Sequence, residues 1–165
     1  MSAIVTTLRC NPAHYEPVFS FVSYHIAVGF SHIYLFVDHP SNRDLEDLLR
    51  LKFGPLYVTV FNSTAELLDQ EREKCAVYTE LEAFRDEVPV RQTINAEYAY
   101  HVASEQGYKW LLHIDIDELF YIFDDHTAEL PSVDAHFDYL DSIGVQCMTY
   151  VNHEGNSRKY VSNDL

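Results

Sequence analysis

The sequence predicts a three-layer α/β/α sandwich around a mainly parallel sheet. Three observations carry that reading. Several segments are continuously apolar and rich in β-branched or aromatic residues, as strands covered on both faces must be. Helical patterns with start and stop signals lie between them, the order expected of parallel strands joined by crossover helices. Two of the strands run out into carboxylates, at Asp38 and at Asp115 and Asp117. Sheets of this kind bind ligands at the carboxyl ends of their strands.

Ala3 to Leu8 reads as the first buried strand. Asn11 then suits a helix cap with Pro12 at the first position, and Gly29 suits the stop. Between them Tyr15, Val18, Phe19, Val22 and Ile26 repeat at helical spacing. His25 on that apolar helix reads as a hydrogen-bonded core histidine rather than a ligand. His32 to Val37 is the second strand. Ser41 and Asp44 resemble a capping box before Leu45, Leu48 and Leu49. Leu56 to Phe61 is the third strand. Thr64 to Glu87 is expected to be helical, with Pro89 closing it, and a further helix runs from Thr93 to Gln106 before Gly107. The strand opened by Trp110 follows. After Phe123 come a polar turn, a helix from Ser132 to Ser142, and a strand from Val145 to Val151. Asp134, Asp138 and Asp141 recur at helical spacing and read as a solvated face.

Charge narrows the choice of partner. The chain holds 11 Lys and Arg against 26 Asp and Glu, a formal charge of −15 over 165 residues. Nucleic acid is excluded as the expected partner, because no basic footprint exists to displace counterions. No apolar stretch approaches the roughly 20 residues of a membrane helix, and no signal-peptide pattern is present. Location, secretory lumen or cytoplasm, stays open. Cys10, Cys75 and Cys147 lack metal-type spacing and read as separate thiols. Asn62-Ser63-Thr64 fits a glycosylation sequon, a pattern common by chance.

The richest segment is Trp110-Leu111-Leu112-His113-Ile114-Asp115-Ile116-Asp117-Glu118-Leu119-Phe120. In an extended backbone successive side chains point to opposite faces, so Asp115 and Asp117 share one face and Ile116 takes the other. Two carboxylates at a strand end suit Mg²⁺ or Mn²⁺, which keep positions open for water or phosphate oxygens. An anionic diphosphate would need that positive charge here.

The motifs together resemble a known family. Tyr24-His25 and Gly29-Phe30 precede the strand His32 to Val37 with Asp38 at its end, followed by Ser41 and Asp44. The Trp110 strand then leads into Asp115-Ile116-Asp117-Glu118. This order resembles the Rossmann-like GT-A fold of nucleotide-sugar glycosyltransferases, and more narrowly their family-2-like and family-92 group. The resemblance runs from Ile4 to Glu154. It implies a hexosyltransferase-type enzyme that passes a sugar from a UDP-sugar to a hydroxyl of a glycan or protein acceptor.

Under that resemblance Asp115 and Asp117 hold the metal against the donor diphosphate, with Glu118 beside them. Asp38 contacts the nucleoside. Thr7, Leu8 and Arg9 line the nucleotide pocket, and Arg91, Gln92 and Asn95 approach the donor. His153 and Glu154 face the acceptor as the candidate catalytic residues. The chain departs from the family in its His39-Pro40-Ser41 turn and in ending at Leu165. Residues 1–165 are therefore expected to form the donor-binding domain, with the acceptor half truncated. Two alternatives stand beside this: a nucleotide-sugar-binding module without catalysis, and an Asp-x-Asp phosphatase of haloacid-dehalogenase type. The late position of the motif and Glu118 argue against the phosphatase.

Overall fold

The computed structural model describes residues 1–9, 15–38, 44–122 and 132–152. In chain order the elements are β1 (Ser2–Leu8), α1 (Glu16–Ala27), β2 (His32–Val37), α2 (Leu45–Phe53) and β3 (Val58–Asn62). They continue with α3 (Ala65–Lys74), the single turn α4 (Tyr78–Leu81), α5 (Val88–Glu105), β4 (Trp110–His113) and α6 (Val133–Ser142). The strands form one sheet in the order β3-β2-β1-β4, and every neighbouring pair is parallel.

Side-chain alternation divides the interior into two cores, because successive residues of a strand point to opposite faces. Ile4, Leu8, Ile33, Leu35 and Val37 pack on one side with Val18, Phe21 and Val22 of α1, Leu45 and Leu49 of α2, and Val133, Phe137 and Leu140 of α6. Ala3, Val5, Tyr34 and Phe36 pack on the other side with Leu67 of α3, Tyr78 of α4, and Ile94, Tyr98 and Ala99 of α5. The result is the three-layer sandwich the sequence predicts. It also explains why β1 and β2 read as unbroken apolar runs: both lie inside the sheet and are buried on both faces.

The winding fixes where a ligand crevice lies. From β1 the chain runs outward through β2 to β3, then returns across the second face to place β4 on the other side of β1. The direction of winding reverses between β1 and β4. At such a switch point the loops leaving the two strands diverge and open a crevice at their carboxyl ends.

Several local expectations need correction. Thr64 to Glu87 is not one helix. Thr64 caps α3, accepting the Leu67 N–H at 3.2 Å, but α3 stops at Lys74 and a broken segment through α4 and the 3₁₀ turn Glu82–Phe84 follows. Pro89 opens α5 rather than closing the helix before it, since the first helical turn does not use the proline's missing N–H. Helix α5 therefore starts at Val88 rather than Thr93. Asp44 sits at the start of α2 but makes no capping bond, and its carboxylate instead accepts from Tyr15 Oη at 2.7 Å. Residues 145–151 form no strand. They are anchored through Val145 N–H to the Leu140 carbonyl and through Tyr150 Oη, 2.7 Å from His136 Nε2. Asn11, Pro12, Ser41 and the turn after Phe123 lie outside the described residues. Of the cysteines described, Cys75 is buried and Cys147 exposed, both free.

The two-core arrangement predicts a sharp contrast between leucines. Leu35 is fully buried whereas Leu51 is 86% exposed. Leu35→Ala should cost about 2–5 kcal/mol in urea unfolding, while Leu51→Ala should stay within about 0.5 kcal/mol of the parent. Similar costs for the two variants would contradict the burial described.

Candidate functional site

The carboxyl ends of β2, β1 and β4 lie side by side, and the opening turns of α5 bind all three. Arg91 donates from Nε and Nη2 to Oδ2 of Asp38, both at 2.6 Å, at the end of β2. Asn95 Nδ2 donates to Thr7 Oγ1 at 2.8 Å, at the end of β1. Gln92 Nε2 donates to Asp115 Oδ1 at 2.7 Å, just past β4. These three residues were candidates from the sequence, and one helix brings each to a different strand. Arg91 pairs with Asp38, not with Glu87 or Glu97, and its Nη1 donates to the carbonyls of Arg85 and Asp86 at 3.1 and 2.7 Å. All three guanidinium nitrogens are thus engaged within the protein, so Arg91 orients Asp38 rather than extending into the crevice.

Leu8 is buried in the first core, so it borders the crevice through its backbone, where its carbonyl accepts the Asp38 N–H at 2.9 Å. Arg9 is exposed immediately beyond β1 and makes no ion pair among the described residues.

The acidic segment is a turn, not a strand extension, and this corrects the shared-face argument for Asp115 and Asp117. Strand β4 ends at His113. The Asp115 carbonyl accepts the Glu118 N–H at 3.0 Å, and the Glu118 carboxylate accepts the Asp115 N–H at 2.9 Å. Past the sheet the backbone has no ladder partner, so it bonds to itself instead. Glu118 also accepts from the Asn152 side-chain amide. It braces the turn, while Asp115 and Asp117 are exposed.

Among the described residues no three His, Cys, Asp or Glu side chains group to cage a metal. Two exposed carboxylates, one with its Oδ1 held by Gln92, still fit a hard cation that keeps most of its positions for water and phosphate oxygens. His153 and Glu154 lie outside the described residues.

Sequence reasoning missed what holds the far end of this turn. Phe120 leaves the turn and enters the first core, where α1 takes both of its backbone polar groups. Tyr24 Oη donates to the Phe120 carbonyl at 2.9 Å, and the Phe120 N–H donates to His25 Nε2 at 3.1 Å. His25 Nδ1 lies 2.8 Å from the Phe21 carbonyl, so Nδ1 carries the proton and Nε2 is the acceptor. The adjacent Tyr24-His25 pair was visible in the sequence, but nothing local pointed to a partner 95 residues away. Glu71 and Arg85 were missed as well. They pair at 2.8 Å with Glu71 fully buried, fixing the bend whose carbonyls receive Arg91. Burial pushes the Glu71 carboxyl up, and Arg85 opposes that rise.

A cavity of about 280 Å³ opens between the outer edge of β4 and residues 146–150, and none of the candidate residues lines it.

The chain is similar to glycosyltransferase-like At2g41451 of Arabidopsis thaliana, 32% identical over 112 residues that make up 63% of this chain and 24% of that protein. It is also similar to glycosyltransferase-like At3g57200 of the same plant, 28% identical over 123 residues, 70% of this chain and 23% of the other. The matched part of the chain thus spans about a quarter of the length of these relatives. No family model matches, and no solved structure does. The α/β sandwich with its all-parallel sheet is consistent with a Rossmann-like glycosyltransferase fold. No helix among the described residues is long and apolar enough to cross a membrane.

His25 gives the site a pH signature. Burial lowers its pKa from 6.5 to about 4, against a smaller opposing effect of the Phe21 carbonyl. The folded value lies below the unfolded one, so in that window the unfolded chain holds the extra proton. Stability from this group is complete above pH 6.5 and falls as pH drops toward about 4. The loss should approach about 3 kcal/mol, at ~1.4 kcal/mol per pH unit. Urea midpoints for His25→Gln should fall less steeply than the parent's across that window. Parallel curves would contradict a neutral, buried His25.

Proposed function

We propose that this chain forms the donor-binding part of a metal-dependent, hexosyltransferase-type glycosyltransferase that takes its sugar from a UDP-sugar. The observation that carries the reading is the convergence, at the sheet's switch point, of the β1, β2 and β4 ends under the first turns of α5. Thr7 and Arg9 border one side of that crevice and the Asp115–Glu118 turn the other. A nucleoside diphosphate suits it: Arg9 is exposed for the phosphates, and Asp38, with Oδ2 held by Arg91, offers Oδ1 to hydroxyl or imide donors of the nucleoside.

Asp115 and Asp117 would hold Mn²⁺ or Mg²⁺. The chemistry that a cation supplies at such a site is compensation of the charge that builds on the departing diphosphate. The protein's own contribution is to orient. Gln92 fixes Asp115, Glu118 fixes the turn, and Asn95 fixes Thr7. Acceptor binding and deprotonation of its hydroxyl fall to residues such as His153 and Glu154 and to whatever completes the cleft. The similarity to glycosyltransferase-like proteins favours this reading over a phosphatase.

Calorimetry with UDP tests it. Binding should require Mn²⁺ or Mg²⁺, should vanish in chelator, and should weaken about tenfold or more in Asp117→Asn, as expected when a metal loses one of two anionic ligands. Undiminished affinity in chelator would remove the metal from the site. An absence of UDP binding with metal present would overturn the nucleotide-sugar reading.

A further inference from the structure

We infer that Tyr24 and His25 are positioning residues of the donor site: by holding both backbone polar groups of Phe120, they set the path of the acidic turn Asp115–Glu118. This rests on the donor-binding reading of that turn.

The turn is strung between two fixed points. Upstream, the Ile114 N–H donates to the Val5 carbonyl at 3.3 Å, the last tie to the sheet. Downstream, Phe120 is the first buried residue after β4, only 6% exposed. Its ring sits among Phe30, Phe137 and Tyr150, with centroids 5.4, 6.1 and 5.0 Å away. A side chain in an aromatic cluster fixes a position but leaves the backbone free to rotate about it. The two hydrogen bonds from α1 remove that freedom, because the carbonyl and the N–H of one residue are both directed at neighbouring side chains of a single helix.

Neither bond is replaceable by the sheet, which has ended seven residues earlier at His113. A buried peptide group there without partners would be costly, so the chain must meet α1 in this orientation. Asp117 lies three residues before Phe120, at most ~10 Å of extended chain. Fixing Phe120 therefore restricts where the carboxylates can go. The polarity is set as well. With Nδ1–H committed to the Phe21 carbonyl, His25 can only accept from Phe120, and Tyr24 Oη can only donate to its carbonyl. Side chains that merely filled space would need no such assignment.

The test combines amide hydrogen exchange at Asp115 and Glu118 with Mn²⁺-dependent UDP affinity. Five forms of the chain are compared: the parent, Tyr24→Phe, His25→Leu, His25→Gln and Leu49→Ala. Leu49 is buried in the same core but on α2 and makes neither bond to Phe120, so its variant controls for lost stability. Tyr24→Phe and His25→Leu should each speed exchange at the turn and weaken UDP binding about tenfold, the scale of one lost hydrogen bond. The Gln side chain can present an acceptor near the Nε2 position, so His25→Gln should recover most of the affinity. Leu49→Ala should melt earlier yet bind UDP as the parent does.

If Leu49→Ala weakens binding as much as His25→Leu, or if both clamp variants bind as tightly as the parent, the positioning role is overturned while the donor site stands. A parent chain that binds no UDP would overturn the reading beneath it instead.

Discussion

The arrangement at the sheet's carboxyl edge depends on a single constraint: the opening turns of α5 must satisfy three strand ends at once. Arg91, Gln92 and Asn95 occupy positions i, i+1 and i+4 of one helix, close enough on its surface to reach three adjacent strands. Because β2, β1 and β4 are parallel and neighbours, their carboxyl ends present Asp38, Thr7 and Asp115 in a row. The helix reads across that row. Each bond is modest alone, but together they fix the helix's axial position relative to the sheet. A slide by one residue would break all three.

A second set of polar contacts supports the first. Glu71 of α3 holds Arg85, the Arg85 carbonyl holds Arg91, and Arg91 holds Asp38. The chain of contacts begins at a fully buried carboxylate and ends at the rim of the crevice, where Asp38 is 19% exposed. Pairs of this kind repay their desolvation poorly, and breaking one partner is worse than never having built the pair. Their value lies in orientation. They tie the broken segment between α3 and α5 to α3 at one end and to the first turn of α5 at the other. On the other face, α1 performs the matching task for the acidic turn through Phe120.

Much of this was legible in the sequence because it depends on local pattern. The continuous apolar runs of β1 and β2 reflect burial on both faces, and Asp38 after β2 and Asp115 after β4 mark the carboxyl edge of the sheet. The helix from Ser132 was legible from its cap, where Ser132 Oγ accepts the Ala135 N–H at 3.1 Å. What failed to show depends on long-range pairing. Residues 145–151 have the composition of a strand but no ladder, since strand propensity reports fit to a neighbour rather than a backbone preference. The Asp115–Glu118 turn looked extended because its alternation continues that of β4. Its self-bonding follows from the sheet ending at His113, which only tertiary structure reveals. Pro89, read as the end of the helix before it, opens α5 instead, because proline suits the first turn of a helix as well as the residues beyond its last.

Titrating ¹⁵N-labelled protein with UDP and Mg²⁺, followed by NMR, locates the donor nucleotide. If it sits at the switch point between β1 and β4, against the rim that α5 organises, shifts should appear in the side-chain amides of Gln92 and Asn95 and in the backbone of Thr7, Arg9 and Asp115 to Glu118. Shifts confined to Tyr108–Leu112 and Gln146–Met148, around the cavity outside β4, would contradict it.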